Sequence, residues 1–470
     1  MHFTVGNIST LVTCEDREIR TWISDWCTKE YMFYGIDFTK KNRPRTQKKA
    51  YLQYFQHNKF PSGWAGRLFK DLALLGYTFS WEDVREKPQL SVPIPKDKLW
   101  SLRDYQQDAL KLALKKTRGI IKHATGAGKT VLMGHILADL GQPSLVLVPD
   151  INLLNQTHKD LSDFLNTDQY TFVGKIGQGI FEPRLITVGN IQSIWAKKED
   201  PALKELFAQV TCICVDEGHH ITIAGKNKIG NTYVQICENI NAYYRFAFTA
   251  TPGKPGTLER EILESFCGGV IHRVTSSELI ERDYLTRPRV QIYPMVALRD
   301  GDYQRSYRIN VLENDRRNEK IAQLAIELAA SGKSVLVAVT RVDKHGKILK
   351  EMIPGSIFMH GKTSSEDRTE IFKKFSKKEI LILISTVVKE GVNIPSMDVL
   401  IMAGGGKSDK ATIQKVGRAL RKSKNKDEAL IIDFYDDDRA GGKSAGIMLK
   451  HSRARIREYN AEEAFIVEKM

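Results

Sequence analysis

Apolar positions change their spacing along this chain in a way that divides it. Between residues 98 and 285, short, largely apolar runs at 145–148, 185–188, 213–215 and 245–248 alternate with longer amphipathic segments. Apolar runs of this length predict strands buried on both faces. The amphipathic stretches between them predict covering helices, and hence a parallel sheet. The alternation restarts beyond Pro288, with strand-like runs at 334–339, 380–384, 399–403 and 429–433. A second α/β domain is therefore expected over 286–470. Residues 1–97 read differently. Ile19, Trp22, Ile23 and Trp26 recur at helical spacing, as do Trp64, Leu68, Leu72 and Leu75 before Gly76. These stripes fit the core of a small α+β domain better than a base-stacking platform. Residues 91–98, with Pro93 and Pro95, read as a linker, and residues 448–470, with Arg453, Arg455 and Arg457, as a charged helix.

Chemistry enters at His123-Ala124-Thr125-Gly126-Ala127-Gly128-Lys129-Thr130, between an apolar segment at 119–121 and a helix expected over 131–140. A glycine-rich turn from strand into helix aims backbone N–H groups at one point, lysine adds a charge for phosphates, and threonine offers a hydroxyl to Mg²⁺. Thr125, Gly126, Ala127, Gly128, Lys129 and Thr130 are thus candidate nucleotide-binding residues; the full pattern would place glycine where His123 stands. Upstream lies Leu102-Arg103-Asp104-Tyr105-Gln106, and a carboxamide such as Gln106 can read the N6/N7 edge of adenine, which favours ATP. The apolar run 213–215 ends in Asp216-Glu217-Gly218-His219. Ligands bind beyond the carboxyl ends of strands in such sheets. Asp216, with Thr130, is expected to hold Mg²⁺ through water, and Glu217 to orient and deprotonate an attacking water. Thr249 and Thr251 bring hydroxyls to another strand end. Far downstream, Gln414-Lys415-Val416-Gly417-Arg418-Ala419-Leu420-Arg421 spaces two arginines three apart, on one face of a helix, as needed to meet charge developing on a phosphate. Two glycine-rich runs ending in Lys-Ser, at 404–408 and 441–444, lack the earlier glycine of a phosphate loop and read as turns.

Charge narrows the partners. Across 470 residues, 71 Lys+Arg against 56 Asp+Glu leave a net charge of +15, which favours a polyanion. The basic stretch at 40–49 is a candidate contact with a DNA backbone, whereas Lys226-Asn227-Lys228 reads first as a solvated loop. No apolar run approaches membrane-spanning length, so no membrane association is expected. Six cysteines lie scattered without a C-x₂-C pair, which argues against zinc and fits a reducing, cytoplasmic compartment.

In their order, Leu-Arg-x-Tyr-Gln, Ala-Thr-Gly-Ala-Gly-Lys-Thr, Asp-Glu-Gly-His, Thr-Ala-Thr and Gln-x-x-Gly-Arg-x-x-Arg resemble the superfamily 2 helicases. The resemblance implies two tandem RecA-like lobes, over 98–285 and 286–470, behind an accessory DNA-binding domain at 1–97. It implies ATP and Mg²⁺ as cofactors, and Lys129, Asp216, Glu217, Gln414, Arg418 and Arg421 as catalytic residues. Arg103 and Gln106 would serve the nucleotide. So would Gly391 and Asn393, the latter standing where many relatives carry Asp. Pro149, Gln156, Thr187, Gln192 and Ser193 in the first lobe, with Arg341 and Thr386 in the second, would contact the nucleic-acid backbone. His219 would couple hydrolysis to Thr249 and Thr251. The stretch from Phe60-Pro61-Ser62-Gly63-Trp64 to Gly76-Tyr77 resembles the leading domain of UvsW-type phage DNA helicases, with RecG and XPB as remoter cousins. That implies a monomer acting on forked or branched DNA, in the host cytoplasm if phage-encoded. An RNA helicase on the same engine, the motor subunit of a restriction complex, and a nucleic-acid scaffold with a silent ATPase site remain alternatives.

Overall fold

In the computed structural model of the protein, residues 1–36, 45–89, 91–221, 232–300, 302–386, 397–406, 416–417, 428–439 and 445–470 are described. The chain forms two compact units, Met1–His123 with Gly128–Arg273, and Ala124–Ala127 with Val274–Met470.

The first unit is built on an eight-stranded sheet in the order Ile180–Glu182, Val173–Gly177, Ile186–Asn190, Ser144–Val148, Cys212–Asp216, Tyr244–Thr249, Arg118–His123 and Val270–Val274. The strands from Val173–Gly177 through Arg118–His123 pair in parallel. Their runs are largely apolar because each face is covered. Val146, Val148, Phe246 and Phe248 pack with Leu132, Ile136 and Leu137 of the helix Lys129–Leu140. Leu145, Leu147, Ile213 and Val215 pack on the opposite side with Ile262 and Leu263. Arg245 interrupts one run: it is only 2% exposed, and its guanidinium donates to the carbonyls of Phe266, Ile240 and Cys237 at 3.0, 3.0 and 2.7 Å.

Residues 1–97 belong to this same unit. Lys59–Pro61, Ser9–Thr13, His2–Val5 and Ser80–Asp83 form a four-stranded mixed sheet, and Thr28–Ile36 pairs with Arg45–Gln53 as an antiparallel hairpin. The first tryptophan stripe becomes the helix Arg17–Cys27, capped by Asp16, whose carboxylate accepts from the backbone N–H of Glu18 and Ile19. The second becomes a 3₁₀ turn, Ser62–Trp64, running into the helix Ala65–Leu74. Phe3, Ile23, Phe60, Trp64, Leu68 and Leu72 form this core, as the spacing predicts, but Leu75 lies past the helix end and is exposed. The linker stays irregular and lies against the main sheet's helices: Ser91 donates to the Leu140 carbonyl at 2.8 Å, and Ile94 is buried in the core.

The second unit carries a seven-stranded sheet ordered Ile357–Met359, Ile382–Ser385, Val335–Ala338, Val399–Ile401, Glu428–Asp437, Arg287–Val296 and Ile466–Lys469, all pairs parallel. The α/β architecture with two parallel sheets is the one expected. The C-terminal segment is a correction. It is a helix, Ile447–Asn460, followed by the edge strand Ile466–Lys469, because the β-branched pair Ile466 and Val467 finds an open partner in Arg287–Val296. Nor is that helix merely a charged surface. Arg455 is 1% exposed and donates to Asp433 at 2.9 and 3.1 Å and to the Gly406 carbonyl at 2.6 Å. Among the described residues, no helix is long and apolar enough to cross a membrane.

Candidate functional site

The strand Arg118–His123 gives way to the loop 124–128 and then to the helix Lys129–Leu140. Two glycines make that turn possible. Gly126 has φ +85° and Gly128, the helix N-cap, φ +69°, a left-handed geometry that side chains rarely adopt. The first-turn N–H groups of the following helix have no partners within the helix, so loop and helix together form a ready anion site. The ammonium of Lys129 donates to the His123 carbonyl at 3.4 Å, which holds it over the mouth of the loop.

Gln106 is nearly buried, at 3% exposed, and its carboxamide is used at both ends. Its oxygen accepts from the Arg103 N–H at 2.9 Å, closing the start of the helix Asp104–Lys116. Its nitrogen donates to the Gly128 carbonyl at 3.1 Å. A Cβ on Gly128 would lie 2.6 Å from that nitrogen. Gln106 thus braces the phosphate loop from behind, and Arg103 donates to the Tyr105 hydroxyl at 3.1 Å.

His123, the departure from the usual loop pattern, is fully buried. Its ring stands edge-on to Tyr105 and hydrogen-bonds His272 of the strand Val270–Val274 at 2.8 Å. Burial, then the neighbouring His272 and Lys129 charges, push its pKa down to about 3, so the ring is neutral at physiological pH. His272 was not singled out by the sequence; the odd residue at 123 was the available signal.

The strand Cys212–Asp216 delivers the acidic pair to the same carboxyl edge. Asp216 is 5% exposed and accepts from the Glu217 N–H at 2.9 Å. Glu217 has φ +49°, an unusual left-handed conformation for a side-chain-bearing residue, of the kind found at functional turns. Its Oε2 is buried without a hydrogen-bond partner among the described residues and lies 3.4 Å from His219 Nδ1. His219 Nδ1 is hydrogen-bonded to Thr249 Oγ1 at 3.1 Å, which in turn accepts from the Thr251 N–H at 3.1 Å. Glu217, His219, Thr249 and Thr251 are therefore brought together as one connected group spanning two strand ends. The oxygen donors Thr130 and Asp216 suit a hard cation. Among the described residues no cluster of three or more metal-ligating side chains exists, so Mg²⁺ here would complete its shell with phosphate oxygens and water, as it commonly does.

The expected backbone contacts fall at neighbouring strand ends within each unit. Pro149 follows Ser144–Val148, and Gln192 and Ser193 lie on the short helix Ile191–Ala196 after Ile186–Asn190, whose Asn190 is in register with Val148. Gln192 is exposed, Gln156 on Ile151–Leu165 and Ser193 are half-buried, and Pro149 is buried. Thr187 is fully buried, with its hydroxyl engaged by the Arg184 backbone at 2.9 and 3.1 Å. In the second unit Arg341 is exposed beyond Val335–Ala338, and Thr386 follows the adjacent Ile382–Ser385. Gln414, Arg418, Arg421, Gly391 and Asn393 lie outside the described residues, as do residues 226–228 and 40–44 of the basic segments.

Residues 99–254 match the family described as "Type III restriction enzyme, res subunit", and residues 316–423 match "Helicase conserved C-terminal domain". The chain is 28% identical over 443 residues to the DNA 3'-5' translocase XPB2 of Sulfurisphaera tokodaii, covering 82% of this chain and 96% of that protein. It is 26% identical over 454 residues to the ATP-dependent DNA helicase uvsW of Enterobacteria phage T4, covering 86% of each. Among solved structures, the ATP-dependent Type ISP restriction-modification enzyme LlaBIII bound to DNA shares the fold with a TM-score of 0.57 at 17% identity, over 86% of this chain and 36% of that one.

Proposed function

Because this chain is a superfamily 2 helicase, similar to UvsW and XPB proteins over most of its length, we propose that it uses ATP hydrolysis to move along DNA and to unwind or branch-migrate forked and branched duplexes. The observation that carries the ATPase reading is the connected group of Glu217, His219, Thr249 and Thr251 at the strand ends of the sheet that also carries the loop of Lys129.

In this reading the N–H groups of the loop and the Lys129 ammonium bind the β- and γ-phosphates, replacing the resting contact of Lys129 with the His123 carbonyl. Glu217 holds a water in line with the γ-phosphorus. As the oxygen–phosphorus bond forms and the β–γ bridge breaks, the water proton passes towards the Glu217 carboxylate, and ADP and phosphate leave. Oε2 of Glu217 is suited to that task because, beyond the His219 ring at 3.4 Å, it has no hydrogen-bond partner among the described residues. Mg²⁺ bound through Thr130 and Asp216 would neutralise phosphate charge. Gln414, Arg418 and Arg421 are assigned from their motif to the charge developing on the transferred phosphoryl group, and Gly391 and Asn393 to the nucleotide. His219, touching both Glu217 and Thr249, links the hydrolytic carboxylate to the Thr249–Thr251 turn. Gln156, Gln192, Ser193, Arg341 and Thr386 are assigned to the DNA backbone, where contacts carry little sequence information.

Lys129→Ala should abolish ATP turnover while circular dichroism and melting temperature stay unchanged; full ATPase activity in a folded variant would overturn the assignment. Unwinding assays with simple forks, four-way junctions and blunt duplexes test the substrate. Activity confined to linear tails would count against branched DNA.

A further inference from the structure

We propose that the helix Leu258–Cys267 couples the position of the N-terminal domain to the hydrolytic motif, so that stimulation of ATP turnover by DNA depends on this junction, with Arg67 and Trp64 as its positioning residues; the inference rests on the helicase reading above.

The helix has one face on the ATPase motifs. Beyond Thr249, Thr251 and Pro252 comes Gly253, with φ +86°, where a Cβ would lie 3.2 Å from the Arg260 nitrogen of this helix. Gly218, next to Glu217, has similarly little room: a Cβ there would lie 3.0 Å from Ala247 and 3.5 Å from Leu263 of the helix. A shift of the helix therefore presses on both motifs, since close-packed interiors transmit displacement rather than absorb it.

Its other face belongs to the N-terminal domain. The Trp64 indole N–H donates to the Glu261 carbonyl at 3.0 Å, and a Cβ on Gly63 would lie 2.0 Å from the Glu264 carbonyl. One nitrogen of Arg67 donates to Glu261 Oε1 at 2.8 Å and Glu264 Oε2 at 2.9 Å, and another donates to Glu261 Oε2. Lys29 reaches the same carboxylate at 3.4 Å. Lys29 and Arg67 lie over the Trp26 and Trp64 rings. Glu264 also accepts from Arg260 at 2.7 Å, so a chain of charges runs from Arg67 through Glu264 to the residue packed against Gly253. Glu261 is 6% exposed. A buried carboxylate shared by two cations is a poor general adhesive but a strict register device, because displacing one partner strands a buried charge. Packing alone would have held the domain; this arrangement holds it in one position.

The test uses the full chain, with ATPase rates measured alone and with saturating forked duplex. In Arg67→Ala and Glu261→Gln the unstimulated rate should stay within about twofold of wild type, because neither residue belongs to the hydrolytic group. The stimulation by DNA should fall about tenfold, a typical coupling between sites. Arg67→Lys should recover part of it. A merely structural role would lower the melting temperature and leave the stimulation ratio intact, which would overturn the proposal; so would unchanged stimulation in both folded variants. Glu261→Gln keeps shape and size, so it remains informative if Arg67→Ala fails to fold. Wild-type protein whose ATPase ignores DNA would instead overturn the helicase reading itself.

Discussion

Gln106→Glu isolates one contact in the brace behind the phosphate loop. The substitution keeps the oxygen that accepts from Arg103 at 2.9 Å but replaces the donor facing the Gly128 carbonyl at 3.1 Å with an acceptor. Losing one neutral hydrogen bond costs about 0.5–1.5 kcal/mol. The Gly128 carbonyl keeps the Leu132 N–H at 3.2 Å, but the new carboxylate oxygen, buried against an acceptor, costs about 1–3 kcal/mol. At 3% exposure, water has little access to make up the loss. The native loop geometry is then disfavoured by about 2–4 kcal/mol, and since 1.4 kcal/mol is tenfold in an equilibrium constant, the KM for ATP should rise about 30-fold or more. Steady-state ATPase with ATP and with GTP reads the effect. If Gln106 only braces the loop, both nucleotides suffer alike; if it also reads adenine when ATP binds, the loss with ATP exceeds that with GTP. KM and kcat within about twofold of wild type for both nucleotides would refute the brace.

Other outcomes follow from the same geometry. Glu217→Gln should lower kcat by about 10²–10⁴, the usual share of a general base, while a filter-binding assay shows ATP still bound. Arg245→Met should destabilise the first unit by about 3–5 kcal/mol in urea denaturation, because three buried carbonyls lose their donor. Burial, followed by neighbouring charge, holds both His123 and His345 down at about 3. The unfolded chain protonates these rings near 6.5 and the folded chain does not, so the unfolded state binds more protons between those values and stability falls as pH drops through that window. Each histidine should cost about 2 kcal/mol at pH 5. His345 is fully buried, with neither ring nitrogen hydrogen-bonded among the described residues, so His345→Leu should flatten the acid limb of the stability profile; an unchanged slope would contradict the neutral buried ring.

The strands were legible because burial on both faces demands runs such as Leu145 to Val148 and Ile213 to Val215, and such runs can be read locally. The phosphate loop was legible for a similar reason, since Gly126 and Gly128 occupy backbone angles that few other residues accept. Elements that depend on a distant partner were not. Ile466–Lys469 is a strand only because Arg287–Val296 offers it an edge, and the last residues by themselves read as helix. Arg455 looked like one more surface charge until Asp433 was placed against it.

The amino-acid sequence alone supplied the α/β class and the order of the candidate motifs, from Lys129 to Arg421, because both rest on short-range rules of side-chain type, spacing and backbone freedom. Tertiary structure decided how those motifs are held. It set Gln106 as a brace on Gly128, locked His123 to His272, joined Glu217 through His219 to Thr249, and set Arg67 and Trp64 against Glu261. Each of these contacts joins residues that only the folded chain brings within hydrogen-bonding distance, and the direction and partner of a hydrogen bond are properties of that approach rather than of either residue by itself.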